Sequence, residues 1–299
     1  MKKILLILLF TLSLFASNST NKRFNYLTCD IQNISNQETQ DTMYKWLNSD
    51  FGLEPYKVNY LLPLGYRKGV YKSYIPTDVY KNIEAELQIS LKLNVKKNLF
   101  GLNEKYYLSY THQSFWQIYS KSSPFRETIY NPEAFVIFPI LDNSFFNLRS
   151  LKLALAHRSN GQGDNRNLDP EKYSNVENRS RSINYLYSTL RFQHQTLITD
   201  IELWARIPEE DATDDNPDIM KYTGFSSIKF RYFLDEHMVT LLARGNFKTH
   251  YGAIEATYSH PLIIDNAYFY TKIFSGYGES LIDYNNNIAK FSIGFSFSR

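Results

Sequence analysis

Cysteine is almost absent from this 299-residue chain: Cys29 stands alone, so no intramolecular disulfide can form. A lipid-anchoring cysteine would follow directly on the apolar part of a leader. Cys29 lies well beyond Ala16 and reads as an ordinary side chain. Long hydrophobic runs are missing too. Past the leader no stretch approaches ~18 uninterrupted apolar residues, which excludes a helical membrane span. The six histidines form no HExxH motif, and a lone cysteine cannot form CxxC. Excess charge of one sign is also lacking. The formal net charge is +3, and without Lys2 and Lys3 it is 3 − 2 = +1, which argues against nucleic acid as a partner.

What is present begins with residues 1–16, which read as a secretory signal. Lys2 and Lys3 form a positive start, an apolar core opens at Ile4, and the cut is expected after Ala16. Residues 17–57 are polar and irregular and read as an N-terminal arm that plugs nothing. The remainder, 58–299, is rich in aromatics, which make 16% of the chain. Interfacial Tyr and Trp girdles of membrane barrels carry such a load, but so do some soluble β-proteins. Periodicity separates the two.

Ile83, Ala85, Leu87, Ile89, Leu91 and Leu93 share one face of an alternating segment, opposed by Glu84, Glu86, Gln88, Ser90 and Lys92. Leu197 to Arg206, Ile228 to Leu234 and Phe291 to Ser298 repeat the pattern. A soluble sandwich alternates as well, but here the polar face carries charges of both signs on several strands, as a barrel lumen does. Strands are expected near 58–66, 83–94, 104–116, 134–141, 149–159, 183–194, 196–206, 221–233, 237–247, 251–260, 266–276 and 289–298. An even twelve suits an all-β, antiparallel, up-and-down transmembrane barrel with no open edge in lipid.

One strand ends unusually. Leu151, Leu153 and Leu155 lead on the same face to His157 and Ser159, so an imidazole and a hydroxyl sit side by side on the apolar wall near a rim. His-x-Ser arises often by chance and is weak on its own, but on one face it offers the pairing that a general base needs with a nucleophile. Gly161 follows, where a bare backbone N–H can approach an oxyanion. On the next expected strand Asn184, Leu186, Ser188 and Leu190 share a face; if the two strands are neighbours Asn184 could hold the imidazole in one tautomer, and otherwise it simply solvates the strand end. Three other features have plainer readings. Arg126 and Glu127 read as an ion pair in the lumen, the acids at 214–218 as a solvated loop, and Gly276-Tyr277-Gly278 as a rim turn rather than a phosphate loop, since no helix follows it.

These residues resemble a known family. His157-Arg158-Ser159-Asn160-Gly161 with Ser180-Arg181-Ser182-Ile183-Asn184 is similar to the active-site signature of outer-membrane phospholipase A. Three further blocks resemble it in order: Tyr110 to Thr128, Asp214 to Ile219, and Ser275 to Asn285. The resemblance implies calcium-dependent hydrolysis of phospholipid and lysophospholipid acyl esters, of A1 and A2 type. Ser159 would be the nucleophile, His157 the base and Asn184 its orienting partner. It implies Ca2+ held by the Ser180 hydroxyl, the Gln162 carbonyl and Ser122 of a partner subunit in a homodimer. It also implies the outer membrane of a Gram-negative-type bacterium, with the site toward the external leaflet. Three departures stand out: a long segment between Gly161 and Ser180, His112 in place of a glutamine that bonds across the dimer, and Arg299 at the end in place of an aromatic. The competing reading is an inactive barrel, a pore or an adhesin, which has no reason to set polar groups toward lipid.

Overall fold

The computed structural model describes residues 34–47, 52–72, 79–140, 147–163, 178–210 and 213–299. The expected leader lies outside them, as does most of the long segment before Ser180. The chain divides into two units, Met1–Gly52 and Leu53–Arg299. In the first, Gln37–Leu47 forms a helix, α1, within the arm expected to be irregular. Asn36 starts it by accepting the Thr39 N–H at 2.8 Å, and Glu38 adds negative charge to the first turn.

The second unit is built of strands: β1 (Leu53–Pro55), β2 (Tyr60–Arg67), β3 (Ile83–Lys97), β4 (Lys105–Trp116), β5 (Phe125–Pro139), β6 (Leu148–Ser159) and β7 (Ser182–His194). Next come β8 (Leu197–Ile207), a short helix α2 (Ile219–Thr223), β9 (Ser226–Leu234), β10 (His237–Asn246), β11 (Tyr251–Pro261), β12 (Tyr268–Gly276) and β13 (Ile288–Ser296). From β2 onward each strand pairs antiparallel with the next, and β13 returns to β2 with Phe291 opposite Tyr66. Twelve strands therefore close the barrel, as the alternation leads one to expect. The thirteenth, β1, prolongs the β2 edge along β3, with Leu53 opposite Leu93.

Between β1 and β2 the chain dips into the barrel. Tyr56 meets Glu133 and Tyr187 at 3.1 Å each, and Lys57 Nζ reaches Asn131 at 3.0 Å. The end of the arm thus contributes side chains to the lumen, where a plug-free arm was expected. Pro63 lacks a ladder N–H, and β2 carries it at register shifts against both neighbours.

Alternation does the rest. Leu108, Leu153, Leu155, Leu186, Leu203 and Ile254 are exposed on the outer wall, a band suited to hydrocarbon. Inside, Arg126 forks onto Glu84 at 2.9 and 3.0 Å and reaches Asp283 at 2.6 Å. Lys290 lies 2.9 Å from Glu84 and 3.0 Å from Glu279, and Glu86 takes Lys272 and the Tyr60 hydroxyl. All these charges are buried, and three cations are shared among four carboxylates, each charge lying beside one of opposite sign.

Two strand expectations change. β5 begins at Phe125 rather than near 134, because a register shift opposite Phe115 and Trp116 gives Arg126 no partner of its own in β4. Arg126 and Glu127 can then both turn inward, which breaks the period-2 pattern on which strand reading relies. Arg126 pairs with Glu84 and Asp283, not with Glu127 as expected. The second change is at 221–233, whose first residues belong to α2. Gly224 ends it with φ +76, where an added Cβ would fall 1.9 Å from the Gly245 carbonyl oxygen.

Removing Arg126 tests the buried network. Arg126→Met should lower the unfolding free energy by about 3–5 kcal/mol, because Asp283 and Glu84 stay buried without their shared cation. Urea titration in detergent, followed by heat-modifiable gel mobility, measures it; an unchanged midpoint would show that the network relaxes without cost.

Candidate active site

The site rests on the pairing of β6 with β7. Ala156 opposes Tyr185, His157 opposes Asn184 and Ser159 opposes Ser182. His157 and Ser159 continue the outward row of Leu153 and Leu155, and Asn184 continues that of Leu186. The sequence reading expected this juxtaposition. His157 Nδ1 and Asn184 Oδ1 are 2.8 Å apart. An amide oxygen only accepts, so Nδ1 carries the proton and Nε2 is left free to act as a base. Ser159 shares the face, two residues along, but no hydrogen bond joins its hydroxyl to His157 among the described residues. Such contacts commonly tighten only when substrate binds.

The other side of β6 explains why His157 sits firmly. β5 meets β6 with Tyr130 opposite Ser159 and Glu133 opposite Ala156, a register that sets Pro132 opposite His157. Proline has no N–H to offer. The His157 carbonyl instead accepts from the Asn131 side-chain amide at 2.8 Å.

Asn160 organises the turn beyond Ser159. Its amide nitrogen donates to Glu127 at 3.0 Å and to the Arg179 carbonyl at 2.7 Å, while its oxygen accepts from Gln162 N at 3.2 Å and Arg181 N at 3.1 Å. Every hydrogen-bonding position of this buried amide is used. Two chain segments separated by the long insertion are thereby pinned to one oxygen. Gly161 follows with φ +57, and a Cβ there would lie 2.7 Å from the Tyr130 ring. Both the backbone and the neighbour demand glycine.

Glu127 is the hidden member. Besides Asn160 it accepts from Leu281 N at 3.0 Å and Ile282 N at 2.7 Å, tying the β12–β13 connection to the site turn. Asn216, fully buried, closes the other side: its side chain accepts from Ser182 N at 2.9 Å and donates to Ser182 O at 2.7 Å, acting as one more strand residue for β7. Asp214 holds Arg206 at 2.7 Å, and Asp218 accepts from Tyr284 at 2.5 Å. Burial, then the bond to Asp218, pushes the Tyr284 phenol up. The acids at 214–218 are a clamp, not the solvated loop that was expected. Beneath them Phe115, Ile129, Ile183, Ile219, Met220 and Leu281 pack into an apolar cap. The Gly276-Tyr277-Gly278 turn belongs to the rim as expected: Arg244 donates to the carbonyls of Tyr277 and Gly278 at 3.0 and 2.7 Å.

The residues expected to hold calcium are less closely gathered. Gln162 and Ser180 flank the Asn160 turn, with Ser180 N donating to Asn178 Oδ1 at 2.9 Å. Ser122 stands apart, exposed in the β4–β5 hairpin with φ +61. No group of three His, Cys, Asp or Glu side chains suited to a metal occurs among the described residues. A hydroxyl-and-carbonyl set such as Ser180 and Gln162 is of a different kind, and its hard, neutral oxygens fit calcium. His112 bonds Ser114 at 3.0 Å and meets the Tyr130 ring edge-on, so it reaches the site through Tyr130. Sequence reading missed Glu209, which accepts from Asn184 Nδ2 at 3.1 Å. Its signal was the outward row Leu203, Ala205, Ile207 carried one step further.

Comparison with known proteins agrees with this geometry. The phospholipase A1 family model matches residues 34–297. Phospholipase A1 of Escherichia coli K12 is 34% identical over 254 residues, spanning 83% of this chain and 82% of its own. The Klebsiella pneumoniae phospholipase A1 is 35% identical with the same spans. Among solved structures, a calcium-bound dimer of the Salmonella typhi outer membrane phospholipase superposes with a TM-score of 0.72 at 34% identity, covering 83% of this chain and 93% of that one. An E. coli outer membrane phospholipase A with an active-site asparagine changed to alanine gives 0.73 at 32% identity, covering 83% and 93%. A closed twelve-stranded barrel, a histidine–asparagine pair beside a serine on its outer wall, and a match along nearly the whole described length lead to one conclusion: this chain belongs to the phospholipase A1 family.

Proposed function

We propose that this barrel hydrolyses phospholipid and lysophospholipid acyl esters, at both A1 and A2 positions, in the outer membrane, with Ser159, His157 and Asn184 as the reacting unit. The observation that carries this is the 2.8 Å bond from His157 to Asn184 on the lipid-facing wall, beside Ser159. Polar groups are costly there, and a structural role offers them no return. At the site end of the lumen Arg126 and Lys290 are paired with Glu84, Asp283 and Glu279, so charged side chains pack the interior there. Residues 1–16 would be the leader removed on export. The external leaflet is the reading that fits the loops: the site end carries the long connections, and turns of two residues join β7 to β8 and β9 to β10 at the other.

The chemistry follows from the atoms. Ser159 Oγ attacks the acyl carbonyl while its proton passes to His157 Nε2. Asn184 Oδ1 holds the Nδ1 proton and keeps the ring from turning. The carbonyl oxygen becomes an oxyanion facing the Gly161 N–H. As the tetrahedral centre collapses, His157 gives its proton to the departing lyso-lipid oxygen and Ser159 keeps the acyl group. Water, deprotonated by His157, then releases the fatty acid. A groove of about 890 Å³ on the outer wall, lined by Leu153, Leu155, Leu186 and Leu203, would seat an acyl chain against the strands that end in the site. Calcium, bound by Ser180, Gln162 and Ser122 of the partner subunit, would supply positive charge for the oxyanion. It would also make the homodimer the active form.

Ser159→Ala should keep heat-modifiable mobility and lose ester hydrolysis and sulfonyl fluoride labelling. His157→Ala should be nearly as severe and Asn184→Ala milder. Retention of most turnover by Ser159→Ala would sink the assignment.

Chelation should abolish turnover, and calcium should restore it far better than magnesium, whose strict octahedral demand this oxygen set does not meet. Calcium should also raise the cross-linked dimer fraction in detergent, and Ser180→Ala should blunt both effects. Full activity in chelator would leave a metal-free serine esterase instead.

A further inference from the structure

Glu209 lies two residues past the end of β8, and the outward row Leu203, Ala205, Ile207 leads to it. It sits half-buried in the rim connection, where a carboxylate gains most by being bound. Two groups bind this one. Asn184 Nδ2 donates to Oε1 at 3.1 Å, and Ser182 Oγ lies 3.3 Å from each carboxylate oxygen. Ser182 and Asn184 are successive outward residues of β7, and Asn184 opposes Ile207 in the ladder to β8. Register alone delivers the contact.

Its consequence lies in the two faces of an amide. With Oδ1 toward His157, the ring must protonate Nδ1, and Nε2 is ready to take the Ser159 proton. With the NH2 toward His157, the ring proton moves to Nε2 and the base is disabled. His157 cannot impose the choice, because one tautomer or the other satisfies either orientation. Glu209 can. An ionised carboxylate accepts only, so it draws the Asn184 NH2 to itself and turns Oδ1 to His157. Ser182 holds the carboxylate in place.

We propose that Glu209 is a positioning residue of the hydrolase site: it fixes the orientation of Asn184 and, through it, the tautomer of His157, and it lends a neutral asparagine a negative charge behind the imidazolium that forms during turnover. This rests on reading Ser159, His157 and Asn184 as the reacting unit.

The test separates the two claims. Ser159→Ala is the control for the site itself; were it active, that reading would fail before any statement about Glu209. With that control inactive, Glu209→Ala should lose about tenfold in kcat with KM unchanged, the scale of one charged hydrogen bond. Because Glu209 acts through Asn184, adding Glu209→Ala to Asn184→Ala should cost nothing more. A swap is the sharpest arm. Asn184→Asp sets two carboxylates face to face and should be poorly active. Adding Glu209→Gln restores a donor–acceptor pair, now carboxylate to His157 and amide behind, and should recover about tenfold over Asn184→Asp. A merely structural glutamate would give no such rescue. The proposal is overturned if Glu209→Ala stays within about twofold of the parent, if its loss adds in full to that of Asn184→Ala, or if the swap recovers nothing. Should Glu209→Ala lose heat-modifiable mobility, Glu209→Gln and the swap decide alone.

Discussion

The register of β6 on β7 is the constraint on which this protein depends. With His157 opposite Asn184, the imidazole meets an amide, the hydroxyl of Ser159 stands beside it, and Leu153, Leu155 and Leu186 face hydrocarbon. A slip of β6 by one residue would turn Leu153, Leu155, His157 and Ser159 inward and bring Lys152 and Arg158 to the lipid side. The placement of His157, Ser159 and Asn184 and that of the outward apolar band are therefore fixed by the same set of ladder bonds. A barrel wall suits the hydrolysis proposed for them because its side chains are held by neighbours on both sides, with no loop to close.

Much of the rest serves to stop that slip at the rim, where strands end and register is weakest. Glu127 and Asn160 tie the β6–β7 turn to the β12–β13 connection. Asn216 prolongs the ladder beyond Ser182, and α2 presses Ile219 and Met220 into the apolar cap. The Pro124-to-Thr128 run and Asp214 to Ile219 belong to this scaffold. Their buried polar groups are satisfied by one another, which makes the rim specific as well as stable.

The lumen plays the complementary part. Glu84, Arg126, Asp283, Lys290 and Glu279 fill its site end with interleaved charge of both signs. Apolar residues could not do this on strands that must alternate, since the inward face would then be as greasy as the outward one. Charge inside and leucine outside tell the chain which way round to close.

Alternation in the amino-acid sequence is enough to specify the barrel, its strand count and the outward placement of His157, Ser159 and Asn184. A period of two residues ties every side chain to a face, and a strand long enough to span hydrocarbon leaves little freedom. Where the period breaks, legibility ends. The register shift at Arg126 hid the start of β5, and α2 hid in a run that alternates by chance. It took the folded barrel to pair Arg126 with Glu84 and Asp283, to let Asn131 stand in for the missing N–H of Pro132, and to set Glu209 behind Asn184. Each of these links residues brought together by closure and by neighbouring strand register, and neither spacing nor composition records which residues a closed barrel sets side by side.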